Sequence, residues 1–216
     1  MILSKQIKVV YAEDQLGVRK SVCEFLNEHE NMEVVFDTDD GKQLINYLRR
    51  TIPVPSICIL DITMPEMDGI TLLKKIRKTW PKLPCLIYSM HRSTTTIAKA
   101  IYMGANGYLS KQHDYDALYQ AVTDIITNGI AYTKDAGEDL FKKVRNNEIE
   151  VPVLTERERS FLELVATECT YQEIAQRMGV AYTTVKGYRE TCFKKLNVNS
   201  RATLVLKSVR LGIINI

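Results

Sequence analysis

The residues around Asp61 constrain the fold more than any other part of this sequence. Asp61 directly follows the unbroken apolar run at residues 57–60 and precedes Thr63-Met64-Pro65 and Asp68-Gly69. Four consecutive apolar residues are typical of a strand that is buried on both faces of a parallel sheet. In open α/β sheets, ligands bind beyond the carboxyl ends of such strands. The sequence therefore predicts a parallel sheet with a reactive carboxylate at its edge.

A second buried-strand pattern supplies more carboxylates. Residues 7–12 are mostly apolar and are followed by Glu13 and Asp14. Three carboxylates at one sheet edge repel one another strongly unless a cation lies among them. Because hard oxygen ligands suit Mg²⁺, we expect Glu13, Asp14 and Asp61 to form a magnesium site.

Two further short strands are predicted at residues 85–88 and 107–109. The first is followed by Ser89, and the second by Ser110 and Lys111. A serine hydroxyl can donate a hydrogen bond to a phosphoryl oxygen, and a lysine ammonium can contact one as a point charge. Ser89 and Lys111 are therefore predicted to hold a phosphoryl group on Asp61.

The periodicity of the first 126 residues predicts five helices between and after the strands. Apolar residues recur at helical spacing in five segments: Val18, Val22, Phe25 and Leu26; Leu44, Ile45 and Leu48; Leu72, Leu73 and Ile76; Ile97, Ala98 and Ile101; Leu118, Val122 and Ile125. Five strands that alternate with five helices require a parallel sheet. We predict an α/β doubly wound, five-stranded fold.

The composition indicates a globular protein. The chain has 216 residues, 45% hydrophobic and 25% charged, which suits one large or two modest domains. No apolar stretch approaches the length of a membrane span, and the N-terminus lacks a signal-peptide pattern, so we expect a cytoplasmic protein without a membrane partner. The five scattered cysteines suggest neither a disulfide framework nor a zinc site.

A linker is predicted between two domains. Residues 128–152 contain Gly129, Gly137, Asn146-Asn147 and Pro152 as helix breakers. The short pattern of Leu140, Phe141 and Val144 allows one helix, which we expect to pack only lightly on either neighbour. The predicted domains are thus residues 1–126, a linker at 127–152, and residues 153–216.

The last domain is predicted to be wholly helical. Thr155 with Glu158, and Thr170 with Glu173, have the spacing of capping boxes that open two helices. A turn at Gly179 leads into a third helix at about residues 182–196. Two helices joined through a glycine turn describe a helix-turn-helix.

Charge is concentrated near the C-terminus. Residues 1–130 carry 15 basic and 15 acidic side chains, whereas residues 177–216 carry eight basic side chains and one acid, Glu190. A basic module beside a neutral one is typical of nucleic-acid binding. A solvated helix face is the alternative, which charge alone does not exclude.

The motifs resemble those of a known family. Glu13-Asp14, DITMPEMDG at residues 61–69, Ser89, and GYLSK at residues 107–111 resemble the receiver domain of two-component response regulators, whose sheet has the strand order 2-1-3-4-5. LTERE at 154–158, EIAQRMGV at 173–180, TTVKGYRETCFKKLNV at 183–198 and SRATLV at 200–205 resemble the LuxR-type DNA-binding domain. The whole chain is similar to NarL/FixJ-class response regulators.

This resemblance implies a transcription factor that is switched by phosphorylation and is not an enzyme. A sensor histidine kinase would phosphorylate Asp61. Asp14 and Asp61 would bind Mg²⁺ directly, Glu13 through water, and Thr63 through its backbone carbonyl. Ser89 and Tyr108 would shift together as the switch, and Lys111 would pair with the phosphoryl group. A homodimer would form on activation and bind an inverted-repeat operator.

The resemblance also indicates which residues contact DNA. The predicted DNA-binding residues are Thr183, Thr184, Lys186, Gly187, Arg189, Glu190, Lys194 and Lys195. The basic members are expected on phosphates. Glu190 shares a helix face with Lys186 and Gly187, so it is expected either to accept from a cytosine amino group or to pair with Lys186 or Lys194.

The sequence leaves two rival functions open. Phosphatases that use an aspartate nucleophile need a second aspartate two residues later as the acid, and Thr63 stands there. A phosphorylation-independent DNA-binding regulator, or a pure protein-interaction module, is the other alternative, because Met90 stands where the family usually has a small residue.

Overall fold

The structure is a computed structural model that describes residues 6–146, 148–149, 152, 154–211 and 213–214 of the chain. The chain divides into two compact units, Met1–Ile149 and Glu150–Ile216. Each unit has its own hydrophobic core.

The first unit contains a five-stranded parallel sheet. Its strands are β1 (Ile7–Ala12), β2 (Met32–Thr38), β3 (Ile57–Leu60), β4 (Cys85–Ser89) and β5 (Gly107–Ser110). All neighbouring strands are parallel, and their order is β2-β1-β3-β4-β5. The predicted fold class is confirmed.

The register of the strands aligns their carboxyl ends. Ala12 pairs with Leu60, Leu60 with Ile87, and Ser89 with Ser110. The residues that follow β1, β3 and β5 therefore meet at one edge of the sheet, as the apolar runs predicted.

Five helices cover this sheet. They are α1 (Leu16–Asn27), α2 (Gly41–Arg50), α3 (Gly69–Thr79), α4 (Thr94–Tyr102) and α5 (Tyr115–Asn128). Four of them begin at a residue whose side chain accepts a backbone N–H: Asp40, Asp68, Ser93 and Asp114. Each such cap stabilises its helix by about 1 kcal/mol.

The segment after α5 differs from the predicted linker. It contains α6 (Glu138–Arg145), which packs on α4 and buries Phe141 and Val144 almost completely. The expectation that this helix packs only lightly was wrong, because its two apolar residues lie on one face and are removed from water. Residues up to Ile149 belong to the first compact unit. The functional division at residues 126 and 152 stays a prediction.

The second unit is helical throughout its described residues. Its helices are α7 (Glu156–Val165), α8 (Tyr171–Met178), α9 (Tyr182–Lys195) and α10 (Arg201–Arg210). Both predicted capping boxes are present, at Thr155 with Glu158 and at Thr170 with Glu173. Gly179 ends α8 with a left-handed φ of 63°, a conformation that favours glycine. In the described parts of the chain, no helix combines the length and the apolar character that a membrane crossing needs.

Candidate functional site

Three carboxylates converge at the carboxyl edge of the sheet. The side-chain oxygens of Glu13, Asp14 and Asp61 lie within 4.8 Å of one another. Glu13 and Asp61 are almost wholly buried, while Asp14 is partly exposed. The structure thus brings together the three acids that were predicted to form a magnesium site.

Lys111 provides the positive charge in this cluster. Its side chain is 5% exposed, and its Nζ lies 3.0 Å from Asp61 Oδ2 and also contacts Glu13 Oε2. An ammonium buried among carboxylates is stabilised by their negative charge. The flexible lysine side chain can also move its ammonium toward an oxygen that becomes more negative. Lys111 is therefore placed to meet a group bound on Asp61.

Three buried polar atoms at this edge make no hydrogen bond of standard geometry. Among the described residues these are Ser89 Oγ, Asp14 Oδ1 and Lys111 Nζ, and Lys111 alone of the three has ion pairs. Buried polar atoms normally find a partner, and leaving one unsatisfied costs about 1–3 kcal/mol. An unpaired hydroxyl and an unpaired carboxylate oxygen fit an anion and a cation, respectively.

The loop after Asp61 lies directly on the backbone of Asp61. The amide of Gly69 donates to Ile62 O at 3.0 Å. A Cβ atom at Gly69 would lie 1.9 Å from Asp61 O, so any larger residue would displace the backbone at Asp61. This contact explains the glycine that ends the DITMPEMDG motif.

Tyr108 is held by the loop that follows β4. Burial, and secondarily the charges of Asp61 and Asp135, raise the pKa of Tyr108 and outweigh an interaction with the neighbouring Ser89 that lowers it, so the hydroxyl of Tyr108 stays protonated. The hydroxyl donates to the backbone oxygen of His91 at 2.5 Å. The His91 Nε2 atom in turn lies 3.0 Å from Thr63 Oγ1. Tyr108 and Thr63 are thus connected through one residue at the edge of the pocket.

Two contributors near the pocket were not predicted from the sequence. Burial, reinforced by Glu13, raises the pKa of Tyr11, whose hydroxyl donates to Glu13 Oε2 at 2.8 Å. Asp135, from the segment after α5, accepts the backbone N–H of Ser110 at 2.8 Å. Tyr11 was readable only as an apolar strand residue, and Asp135 lay in the predicted linker.

Helix α9 of the second unit presents most of the predicted DNA-binding residues to solvent. Thr183, Thr184, Lys186, Gly187, Glu190 and Lys194 are exposed. Val185 and Cys192 face the core instead. Around Gly187, an added Cβ would meet no atom within 4 Å, so this face is open. Ala181, at the start of the helix, provides no side-chain cap.

Three of the predicted DNA-binding cations have partners inside the second unit. Lys195 Nζ lies 2.7 Å from Glu158 Oε2, and its side chain is 33% exposed. The guanidinium of Arg189 lies 5.6 Å from the centre of the Tyr171 ring, and Lys186 Nζ lies 5.0 Å from the centre of the Tyr182 ring. Glu190 makes no ion pair among the described residues. The predicted alternative of an intrahelical pair for Glu190 is therefore not seen.

We expect Lys195→Met to destabilise the second unit by about 2–3 kcal/mol, because it leaves the buried carboxylate of Glu158 without a cation. Burial alone would raise the pKa of Glu158, but bonds from Lys195 and Thr155 outweigh burial and lower it. Because the pKa of Glu158 is lowered in the folded protein, its ionised carboxylate stabilises the fold at pH values above the usual carboxyl pKa. This stabilisation is lost as the pH falls through the pKa of Glu158 in the folded state.

Urea unfolding at about pH 7 and about pH 4 measures this effect. The control is Lys194→Met, since Lys194 is exposed one residue away. The variant at 195 should lose less stability on acidification than the wild type. Equal unfolding free energies for both variants at the higher pH contradict the assignment.

Each of the two units matches the model of a known protein family. The model for the response regulator receiver domain matches residues 9–123, and the model for bacterial regulatory proteins of the luxR family matches residues 152–208. The first match contains the acidic cluster and Lys111, and the second contains α9.

Curated relatives match along nearly their whole length. The Fimbriae Z protein of Salmonella typhimurium is 31% identical over 204 residues, which cover 93% of this chain and 95% of the relative. The transcriptional regulatory protein DesR of Bacillus subtilis is 29% identical over 206 residues, covering 95% and 98%.

Solved structures show the same fold. RcsB from Salmonella enterica serovar Typhimurium, bound to a promoter in the presence of the phosphomimetic BeF₃⁻, matches with a TM-score of 0.62 and 23% identity, covering 97% of this chain and 100% of RcsB. A structure of two RcsB dimers bound to two parallel DNAs matches with a TM-score of 0.59 and 23% identity, covering 95% and 98%.

Proposed function

The chain belongs to the NarL/FixJ class of response regulators, with a receiver domain and a LuxR-type DNA-binding domain, and we propose that phosphorylation of Asp61 switches it as a transcriptional regulator. A sensor histidine kinase is the proposed donor, and the protein acts in the cytoplasm. The observation that carries the proposal is the set of groups around Asp61: Lys111 at 3.0 Å and the unpaired hydroxyl of Ser89 nearby.

The chemistry follows from these groups. A carboxylate oxygen of Asp61 attacks the phosphorus of the donor, and the bond between phosphorus and the donor atom breaks. The product carries almost two negative charges, which attract the ammonium of Lys111 and a hydrogen bond from Ser89. Because both lie at the ends of neighbouring strands, they can move toward the phosphoryl group without unfolding the sheet.

Magnesium fits the acidic cluster. Glu13, Asp14, Asp61 and the backbone carbonyl of Thr63 would hold it, and the unpaired Oδ1 of Asp14 supports this assignment. When bound, the ion neutralises charge on the transferring phosphoryl group. Lys111 alone does not balance three carboxylates, so a dication also relieves their repulsion.

Binding to DNA is assigned to α9. Its exposed face carries Lys186 and Lys194 beside the open backbone at Gly187. A helix-turn-helix places such a helix in the major groove, and a dimer places two of them about 34 Å apart. The protein is therefore proposed to bind an inverted repeat as a homodimer that phosphorylation promotes.

Thr63 and His91 are proposed to set the lifetime of the phosphoryl group. Their side chains are hydrogen-bonded at 3.0 Å beside Asp61, where they limit the approach of water. We expect Thr63→Ala and His91→Ala each to shorten the half-life of phosphorylated Asp61 by about fivefold, the equivalent of one lost hydrogen bond. Decay of the labelled protein measures this, with Thr94→Ala as an exposed control. Half-lives equal to the wild type in both variants rule out this role.

Glu190 is proposed to read a base. Its carboxylate is exposed and has no ionic partner in the described chain. A carboxylate that faces phosphates is repelled, whereas one that faces a base edge can accept from the cytosine amino group. We expect Glu190→Ala to relax the preference at one position in each half-site, a loss of about 1–3 kcal/mol of discrimination.

Site selection from random DNA compares the wild type with Glu190→Ala. Glu163→Ala is the control, since Glu163 is an exposed acid on α7. If the selected motif stays unchanged and binding to all sequences rises uniformly, Glu190 only modulates charge and does not read a base.

A further inference from the structure

The segment after α5 runs along the free edge of β5. We name residues 129–136 the β5 strap. Ala131 donates its N–H to Asn106 O at 2.9 Å, and Thr133 Oγ1 donates to Tyr108 O at 2.5 Å. Asp135 Oδ2 accepts from Ser110 N at 2.8 Å. The strap thus satisfies alternate backbone groups of an edge strand that would otherwise be open.

Asp135 is the most connected residue of the strap. Its side chain is 5% exposed, and its Oδ2 atom also lies 2.9 Å from His113 Nε2. Its Oδ1 atom lies 3.8 Å from Arg92 Nε, a contact that is half exposed and therefore weak. The bond from Ser110 is part-buried and charge-assisted, so it is stronger than the exposed contact with Arg92.

Asp135 contacts two residues, and each of them is adjacent in sequence to a residue of the phosphoacceptor pocket. Ser110 precedes Lys111, which contacts Asp61. Arg92 follows His91, whose backbone oxygen accepts from Tyr108 and whose ring contacts Thr63. A movement of Lys111 toward a phosphoryl group therefore displaces Ser110. A movement of Tyr108 away from His91 displaces Arg92 in the same way, and Asp135 contacts both displaced residues.

We propose that Asp135 is a positioning residue that joins the phosphoacceptor pocket to the β5 strap, and that phosphorylation of Asp61 weakens its hold and loosens the strap. This inference rests on the proposed phosphorylation of Asp61. The strap and α6 lie between the pocket and the second unit in the chain, so the loosened segment is the one that leads to the DNA-binding helix. Because coupling between two sites is reciprocal, loss of Asp135 also favours the phosphorylated state.

Hydrogen exchange of the full-length wild type tests the first half of the proposal. With Mg²⁺ and beryllium fluoride as the phosphoryl mimic, we expect the Ser110 amide and the amides of residues 129–136 to exchange about tenfold faster than without the mimic. Unchanged protection of these amides, in protein that the mimic has made refractory to acetyl phosphate, overturns the proposal.

Two variants test the reverse direction. Asp135→Ala removes the acceptor, and Asp139→Ala is the control, because Asp139 is an exposed acid four residues away that pairs with Lys143. We expect Asp135→Ala to bind beryllium fluoride in the presence of Mg²⁺ about fivefold more tightly than the wild type, with no change for the control. Equal affinities in all three proteins count against Asp135.

A third variant separates loss of fold from loss of coupling. Asp135→Asn keeps the size and one acceptor oxygen for the Ser110 N–H but loses the charge, so its affinity for beryllium fluoride should lie between those of the wild type and Asp135→Ala. An affinity at or below that of the wild type contradicts the proposal. Failure of acetyl phosphate to label the wild type indicates instead that the proposed function is wrong.

Discussion

Asp61→Asn is expected to abolish labelling of the protein by acetyl phosphate in the presence of Mg²⁺. Asparagine keeps the shape of the side chain but lacks the anionic oxygen that attacks phosphorus. Lys111 contacts both Glu13 and Asp61, but Asp61 is the one that directly follows β3, the neighbour of the strand that ends in Ser89. Mass spectrometry of the intact protein, with peptide mapping, measures the effect.

Asp37→Asn is the matched control for this experiment. Asp37 lies near the carboxyl end of β2 in the same sheet, but it pairs with Arg19 and lies outside the acidic cluster. The control should be labelled like the wild type. Label that persists at the full level in Asp61→Asn would falsify the assignment of the phosphoacceptor.

The affinity of the protein for DNA is expected to depend steeply on the salt concentration. We expect Lys186, Arg189 and Lys194 of each protomer to contact DNA phosphates, which gives six contacts in a dimer. Six contacts predict a slope of about −5 when the logarithm of the affinity is plotted against the logarithm of the salt concentration. Affinity should then fall about 1,000-fold between about 50 and about 200 mM salt. Titration of a labelled operator at several salt concentrations measures the slope.

Charge-removing variants locate these contacts. Lys186→Gln and Lys194→Gln should each lower the slope by about 2, because each removes two contacts per dimer. Lys195→Gln should lower it less, since Lys195 is already paired with Glu158. Lys207→Gln, on α10, is the control. A slope near zero for the wild type contradicts phosphate binding by α9.

The pocket was largely predictable because strand register determines which residues meet. Glu13, Asp61 and Lys111 each follow an apolar run, and runs of that kind become parallel strands whose ends align. The N-terminal caps of α7 and α8 were predictable for a similar reason, since a capping box needs only two residues at fixed spacing.

Other features depend on contacts that leave no local pattern. The sequence pattern does not predict strand β2. This strand lies at the edge of the sheet and its residues are mostly half-exposed, so its sequence shows neither a continuous apolar run nor a regular apolar–polar alternation. Asp135 meets Ser110 across 25 residues through a backbone N–H, which any residue type could supply. Lys195 looks like a DNA contact by charge, but its partner Glu158 lies 37 residues away.

Phosphorylation of Asp61 is proposed to switch DNA binding, and one paired measurement tests this coupling. Sedimentation and operator binding are measured for the wild type and Asp61→Asn, with and without acetyl phosphate and Mg²⁺. We predict that the phosphodonor doubles the mass of the wild type and raises its operator affinity, and that it changes neither in Asp61→Asn. A wild type that is labelled on Asp61, yet binds the operator equally well with and without the donor, would contradict the claim and favour a phosphorylation-independent regulator.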